Sequence, residues 1–592
     1  MMGAMNKKNF ALYLVFILII VLAFFLRLYR LDERVFHHDE AAVGYFTYKL
    51  FNDGIYSYDP SFHGPFMYYA TAGIFRLFGD SDYSARLLPA IFGAAMLFLL
   101  IPLRRYIGNS GMIIAAFFLA LSPSFLYYSR FYREDIFIAF FSMLVLVCAV
   151  KYAEKHTAEK YSSVRLFYLF LGAAALAIMA ALKENTYIAM ALIAFFLLLL
   201  FIRERAYKGL AGRFARLDKK VLLITGEGVF FILVFLVVFS LFYTGKFLDF
   251  YGMYAAFEKA ISHWYEMHRI ERIGGPYYFY LSIIALYELP ILIFAALGMA
   301  YHCGCDAKKE KLLTILLSYW VAADILYLIP GYYPALGRFL PTSYIPTPIV
   351  VFFPLLILGF IAVLKSRNLF FAFLIYWAMT NLIAYSYIQE KVPWLILNPL
   401  LPMAIIAAAY IGELLSRLKF DSRGIAAIIF IVILSSFFVY SSVQLNYYNY
   451  TNTAEPLIQA AQPPQKFSLF LAKINEISSQ YQNRSTDIQL TDGEMETQFL
   501  WYMRHFNNIK WRASIDSELT APLIVVHDTD GNESEADIVK RRLRTDYERL
   551  DSAKMSWYWF KLSDVTPDYL LYRKMDREPS EYRVVLFYKP RY

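Results

Sequence analysis

The chain has 592 residues, of which 59% are apolar or aromatic and only 18% are charged, with a mean hydropathy of +0.44. Soluble domains carry about 25% charge, so this composition excludes a water-soluble protein of several domains. The net charge of +9 lies in clusters between apolar runs, which fits basic cytoplasmic loops and gives no role to nucleic acid as a partner.

The first apolar run, Phe10 to Leu26, follows Lys7 and Lys8 and ends in Arg27-Leu28-Tyr29-Arg30 with no small-residue cleavage site. It reads as an uncleaved span, not a signal peptide. A span needs about 20 mainly apolar residues. Runs near 10–27, 84–102, 111–128, 134–151, 166–182, 186–202, 221–243, 277–300, 312–329, 344–364, 369–387, 394–415 and 424–442 therefore predict thirteen helices across the membrane. The three cysteines, Cys148, Cys303 and Cys305, exclude a disulfide framework. His302, Cys303 and Cys305 on a short loop give only a weak metal signal.

With the N-terminus in the cytoplasm, every alternate loop is basic. Arg104 and Arg105 come first, then Lys151 to Arg165, then Arg203 to Lys220, Lys308 to Lys311, Lys365 with Arg367, and Arg417 to Arg423. This consistency sets the orientation by the positive-inside rule. The outer segments are then 28–83, 129–133, 183–185, 244–276, 330–343, 388–393 and everything from about 443. The three Asn-x-Ser/Thr sequons, Asn449, Asn483 and Asn532, all fall in that last outer segment. A multi-pass protein of the cell membrane follows, with its C-terminal part outside.

The outer segments carry the chemistry. Residues 28–83 form a long loop predicted to lie along the membrane surface as interfacial helices. It holds His37-His38-Asp39-Glu40-Ala41 and, further on, His63-Gly64-Pro65. An acid in partly apolar surroundings can serve as a general base. The same acids could instead cap a helix N-terminus, and the loop alone does not choose. Further acids are Asp135, Glu184 and Glu390. Cations suited to phosphate are Arg130, Arg133, Lys183, Arg338 and Lys391. Acids beside phosphate binders at a membrane surface suit an enzyme using a lipid-phosphate substrate, and equally a transporter of an anionic lipid. Two acids, Glu227 and Glu288, fall inside predicted spans, where a charge is costly. The chain has no Walker loop, no Gly-rich dinucleotide fingerprint and no His-Glu-x-x-His pair.

Asp39-Glu40-Ala41 after an uncleaved first span, His63-Gly64-Pro65, Ser129-Arg130-Phe131 with Asp135, Lys183-Glu184, and Glu390-Lys391-Val392-Pro393-Trp394 occur in this order on one face of the topology. Over roughly the first 440 residues, this resembles the GT-C membrane glycosyltransferases, in particular the protein O-mannosyltransferase and aminoarabinose-transferase group. It is closest to an archaeal branch named for an association with flippase activity in N-glycosylation. The resemblance implies inverting transfer of a sugar from a polyprenyl (dolichyl-type) phosphate to a glycan or protein acceptor at the outer membrane face. Asp39 would be the catalytic base, with Glu40 beside it. Lys391, Arg130 and Lys183, then Arg133 and Arg338, would stabilise the leaving phosphate. His38, His63, Asp135, Glu184 and Glu390 would support them. Some GT-C enzymes bind a divalent metal ion and others need none, so a metal ion at Asp39 and Glu40, near His37 and His38, stays open. The name of that branch keeps a second reading in view, a non-catalytic flippase or flippase-associated protein for lipid-linked glycans.

Beyond a linker with Pro463-Pro464, strands near 487–491, 522–527 and 582–588 alternate with helices near 494–505 and 535–546. Asp528-Thr529-Asp530-Gly531 reads as a turn. The expected architecture is a polytopic α-helical, GT-C-like membrane domain over residues 1–443, followed by an extracytoplasmic soluble α/β domain over 444–592.

Overall fold

The computed structural model describes residues 7–590, apart from 159–162, 209–218, 246–250, 268–277, 304–356 and shorter stretches between 358 and 579. Helix α1 (Lys7–Leu28) leads into α2 (His38–Asp53), a 3-10 turn at Pro60–Phe62 and α3 (Phe66–Phe78). Next come α4 (Asp82–Ala95), α5 (Leu100–Leu121), α6 (Pro123–Ser129) and α7 (Asp135–Ala158). They are followed by α8 (Ser163–Ala180), α9 (Thr186–Lys208), α10 (Lys219–Tyr243) and α11 (Tyr251–Met267). Among the described residues, helices α12 (Phe279–Tyr287), α13 (Leu289–Cys303), α14 (Leu369–Tyr387), α15 (Leu397–Arg417) and α16 (Ser422–Val443) follow.

Among the described residues, nine helical stretches are long and apolar enough to cross a membrane. Helices α12 and α13 make a tenth as a pair bent by 110°. The expected spans 84–102 and 111–128 form one stretch from Asp82 to Leu121, interrupted at Gly108. The second of them stops at Ser122 instead of 128, because Pro123 starts the separate helix α6 and Ser122 caps it. Two expected spans, 312–329 and most of 344–364, lie outside the described residues.

Helix α15 is the hub, packed against α5, α13 and α14 and almost wholly enclosed. Helices α1, α9 and α16 instead expose rows of Leu, Ile, Val and Phe. Lipid tails are as apolar as those side chains, so such exposure costs nothing in a bilayer. The two acids inside spans are both engaged. Glu288 sits at the α12–α13 bend and accepts hydrogen bonds from Ser122 Oγ (2.7 Å) and the Ser124 N–H (2.9 Å), so it pins two helix breaks together. Glu227 pairs with Arg165 and accepts from the Tyr152 hydroxyl (2.6 Å).

The C-terminal part contains α17 (Phe467–Ser479), α18 (Glu496–Tyr502), α19 (Glu535–Arg542) and α20 (Pro567–Tyr572). Among its described residues, the six strands are β1 (Ile488–Leu490), β2 (Ile509–Trp511), β3 (Leu523–Thr529), β4 (Glu548–Asp551), β5 (Met555–Trp557) and β6 (Ser580–Tyr588). They form a mixed sheet in the order β2-β1-β3-β6-β4, with β5 also on β6. Strand β1 runs parallel to β2 and β3, and β6 is antiparallel to its partners. Alternate residues of β3 serve opposite faces: Leu523 and Val525 meet α17, whereas Ile524 and Val526 meet Ala536 and Val539 of α19. An α/β unit was expected here. The short strands β2, β4 and β5 and helices α17 and α20 were not among its expected elements.

Candidate active site

The N-terminus of α2 organises the site. His37 adopts an extended backbone and caps the helix, its Nδ1 accepting the Asp39 N–H at 3.1 Å while Glu40 reaches back to the His37 N–H. The bland reading of this segment, a helix cap, therefore holds for His37 and Glu40. Burial holds the His37 imidazole down to about 4, in keeping with a neutral ring whose Nδ1 accepts.

Glu40 is fully buried, and each of its oxygens accepts three hydrogen bonds. Arg86 grips it with Nε on Oε1 (2.7 Å) and Nη2 on Oε2 (2.8 Å). Arg34 Nη2 lies 3.0 Å from both oxygens. The Tyr132 N–H (2.8 Å) and His37 N–H (3.1 Å) complete the set. Burial would raise the carboxyl, yet the two guanidinium groups outweigh it and hold Glu40 at about 2. With its oxygens saturated, Glu40 ties the first loop to α4 and to the loop after α6, and has no lone pair left for a substrate or a metal ion.

Asp39 points the other way. Its carboxylate pairs with Arg133 and keeps 26% of its side-chain surface exposed. Burial raises Asp39, but Arg133 and then His37, His38 and His63 bring it down to about 2. Arg133 places its other terminal nitrogen 3.1 Å from His63 Nε2. It lies over the Trp394 ring, 4.2 Å from the centroid, and within 3.7 and 3.8 Å of Glu134 and Asp135. His63 Nδ1 meets Glu184 Oε2 at 2.9 Å, and Tyr58 donates to Glu184 Oε1 at 2.8 Å. An arginine can only donate, so His63 accepts at Nε2 and carries its proton on Nδ1, towards Glu184. Burial raises Glu184, and His63, a backbone N–H bond and the Tyr58 hydroxyl together outweigh it and lower the carboxyl.

The His63-Gly64-Pro65 motif has a steric reason. The Gly64 N–H bonds the Leu182 carbonyl at 3.0 Å, and a Cβ on Gly64 would stand 2.3 Å from the Ala181 oxygen. Only glycine allows this approach, which delivers His63 to Glu184. Lys183 is absorbed by Asp135, its ammonium 2.9 and 3.0 Å from the two carboxylate oxygens.

The other expected phosphate binders are engaged elsewhere. Arg130 donates to the carbonyls of Leu26, Arg27, Tyr29 and Arg30, and so caps the C-terminal end of α1. Lys391 donates to the carbonyls of Tyr385, Ser386 and Ile388 at the end of α14, and burial lowers its ammonium to about 8. Its motif reaches the site through Trp394 instead. His38 contacts Thr497 (3.1 Å). Arg338 and Glu390 lie outside the described residues.

Sequence reasoning missed Arg34, Arg86, Tyr58 and Glu134. No local pattern marks the first three as partners of Glu40 and Glu184, and Glu134 stands out only as an acid next to Asp135. It is buried, with neither oxygen hydrogen-bonded. No group of three or more His, Cys, Asp or Glu among the described residues is arranged to hold a metal ion. With Glu40 saturated and Asp39 paired to a cation, the described residues do not fit one.

Two cavities adjoin this network. One, of about 430 Å³, lies beside His63 and is lined by Tyr45, Phe46, Lys49, Tyr56 and Asp59. The other, of about 370 Å³, is almost wholly apolar and runs between α7, α8, α9 and α14 from Met179 and Asn381 to Tyr106 and Leu200. The Lys183 N–H bonds the Met179 carbonyl, so the apolar cavity begins one turn from the charged network.

Residues 62–213 match the family model described as dolichyl-phosphate-mannose-protein mannosyltransferase. Among solved structures, apo ArnT from Cupriavidus metallidurans aligns over 98% of this chain and 98% of its own, at 14% identity and a TM-score of 0.50. The same protein bound to undecaprenyl phosphate aligns over 97% of each chain at 14% identity, with a TM-score of 0.49. The apo oligosaccharyltransferase of Archaeoglobus fulgidus aligns over 92% of this chain and 70% of its own, at 15% identity and a TM-score of 0.50. No curated protein matches the chain.

Proposed function

The chain has the fold of the GT-C glycosyltransferase superfamily, and from that premise we propose that it moves a sugar from a polyprenyl-phosphate donor to an acceptor hydroxyl or amide at the outer membrane face, with Asp39 as the base. The observation that carries the reading is the contrast at the start of α2, where Glu40 is sealed and Asp39 remains partly exposed and, among the described residues, pairs with Arg133. A dolichyl-phosphate sugar is the donor class named by the matching family model.

In the proposed reaction the acceptor oxygen or nitrogen attacks the anomeric carbon, its proton passes to Asp39, and the bond to phosphate breaks. The polyprenyl phosphate leaves with the electron pair and needs a cation at its oxygen. Arg133 is our candidate. A carboxylate held near 2 is a weak base. A donor phosphate next to Arg133 would share the guanidinium charge, loosen its hold on Asp39 and raise the basicity of that acid. His63, steered by Glu184, holds Arg133 beside Asp39 for this exchange. The apolar cavity would take the first isoprene units of the donor, and the aromatic cavity beside His63 the acceptor. We further propose that residues 1–443 form the transmembrane domain with a cytoplasmic N-terminus, and that residues 444–592 form an extracytoplasmic domain.

The test is transfer in proteoliposomes from a panel of polyprenyl-phosphate sugars, comparing wild type with Asp39→Asn. Transfer by the wild type that collapses in a correctly folded Asp39→Asn protein supports the reading. If no donor gives transfer and both proteins move a lipid-linked glycan across the bilayer equally well, the transferase reading fails and the flippase reading replaces it.

A further inference from the structure

The chain segment that leads into Asp39 is bonded at successive positions by the C-terminal part of the molecule. Gln465 Nε2 donates to the Glu33 carbonyl (2.5 Å) and Gln462 Nε2 to the Val35 carbonyl (3.0 Å). The Phe36 N–H donates to the Tyr502 hydroxyl (2.7 Å), and the His38 N–H to the Ala461 carbonyl (3.3 Å). This lacing ends one residue before Asp39, whose own side chain turns to Arg133.

The segment Trp501-Tyr502 locks the arrangement. Trp501 is fully buried and stacks on Phe36, with centroids 5.1 Å apart and 14° between the planes. Its indole N–H donates to Asp82 Oδ1 and the Tyr502 hydroxyl donates to Asp82 Oδ2, both at 2.7 Å. Tyr502 thus bridges the backbone of residue 36 to the start of α4, four residues before Arg86, which holds Glu40. Helix α2 is cut to receive the indole. A Cβ on Gly44 would stand 2.9 Å from Trp501 Cε3, so any larger residue would push the tail away from the loop. A simple anchor for a soluble domain needs none of this, since an exposed loop with charged pairs would serve as well.

We propose that Trp501 and Tyr502 of the C-terminal part are positioning residues, which set the backbone of residues 35–38 and through it the place of the Asp39 carboxylate against the acceptor. The inference rests on Asp39 being the base. A misplacement of about 1 Å at a reacting group can cost on the order of 10²-fold in rate, so a clamp next to the base is felt in turnover before it is felt in binding.

The test uses the full chain in proteoliposomes, with dolichyl phosphate mannose and the other polyprenyl-phosphate sugars as donors, and compares wild type, Tyr502→Phe and Trp501→Phe. Tyr502→Phe keeps the ring and removes only the hydroxyl, whereas Trp501→Phe keeps a smaller aromatic ring and removes the indole N–H with part of the packing surface. Amide hydrogen exchange is followed in the same preparations. The expected result is a fall in kcat of about 10- to 100-fold at unchanged donor KM. Amides 35–39 should exchange at least about tenfold faster, while β3 and β6 keep their protection. An active wild type whose Tyr502→Phe variant keeps its kcat overturns the inference. Equal exchange at 35–39 in wild type and variants overturns it too. If wild type transfers nothing, the proposed function fails first, and the exchange data still decide whether the clamp exists.

Discussion

Asp39 and Glu40 are neighbours in the chain and opposites in the fold. Around Glu40 the structure is closed, with two guanidinium groups and two backbone N–H groups saturating one carboxylate. Around Asp39 it is open on one side, with a single guanidinium that is shared with His63, Glu134 and Asp135. A buried acid with every lone pair engaged holds a fold together. An acid with a cationic partner and partial solvent access can exchange that partner for a substrate. On the proposed function, two identical functional groups separate into scaffold and reagent by their surroundings.

The comparison breaks most directly at its two centres. Asp39→Asn should lower transfer by about 10³-fold, within the range for loss of a general base, with a melting temperature close to that of wild type. Glu40→Gln should do the reverse. It leaves Arg34 and Arg86 buried with half their partner and costs about 3–5 kcal/mol of stability, read as a fall in melting temperature and expression. Should Glu40→Gln melt like wild type while losing turnover, the assignment of scaffold and reagent would be inverted.

A smaller effect sharpens the open side. Arg133→Lys keeps a charge but loses the fork that reaches Asp39 and His63 together. About a 30-fold loss in transfer is expected, with the acid limb of the pH profile moved up, because Asp39 is then held less firmly below its ordinary value. Acid titration sharpens the closed side. Glu40 sits near 2 in the folded protein against 4.5 ordinarily. Its stabilisation is therefore complete above about pH 4.5 and is lost as the pH falls towards 2. Melting curves between pH 6 and 3 should show the decline beginning near pH 4.5 in wild type and flattened in Glu40→Gln. The smallest effect belongs to Arg130. As a cap on α1, Arg130→Ala should cost about 1–2 kcal/mol of stability and leave the donor KM unchanged. A raised KM would return Arg130 to the phosphate site.

The amino-acid sequence by itself determined that the chain is a multi-pass membrane protein with a mixed α/β unit at its C-terminus. Runs of about 20 apolar residues and period-two strands are local patterns, and the solvent on each side fixes their outcome. The sequence also marked Asp39, His63, Arg133, Asp135, Lys183 and Glu184 as chemistry-bearing, and the fold gathers all six into one network. Tertiary structure decided their division of labour. It turned Arg130 and Lys391 to helix ends, because a buried cation must find acceptors and the nearest were orphaned carbonyls. It supplied Arg86, 46 residues from Glu40, and Tyr502, 466 residues from Phe36, as partners that no local spacing announces. Which acid is sealed and which is left open depends on groups distant in sequence, whose contacts exist only once the helices have packed.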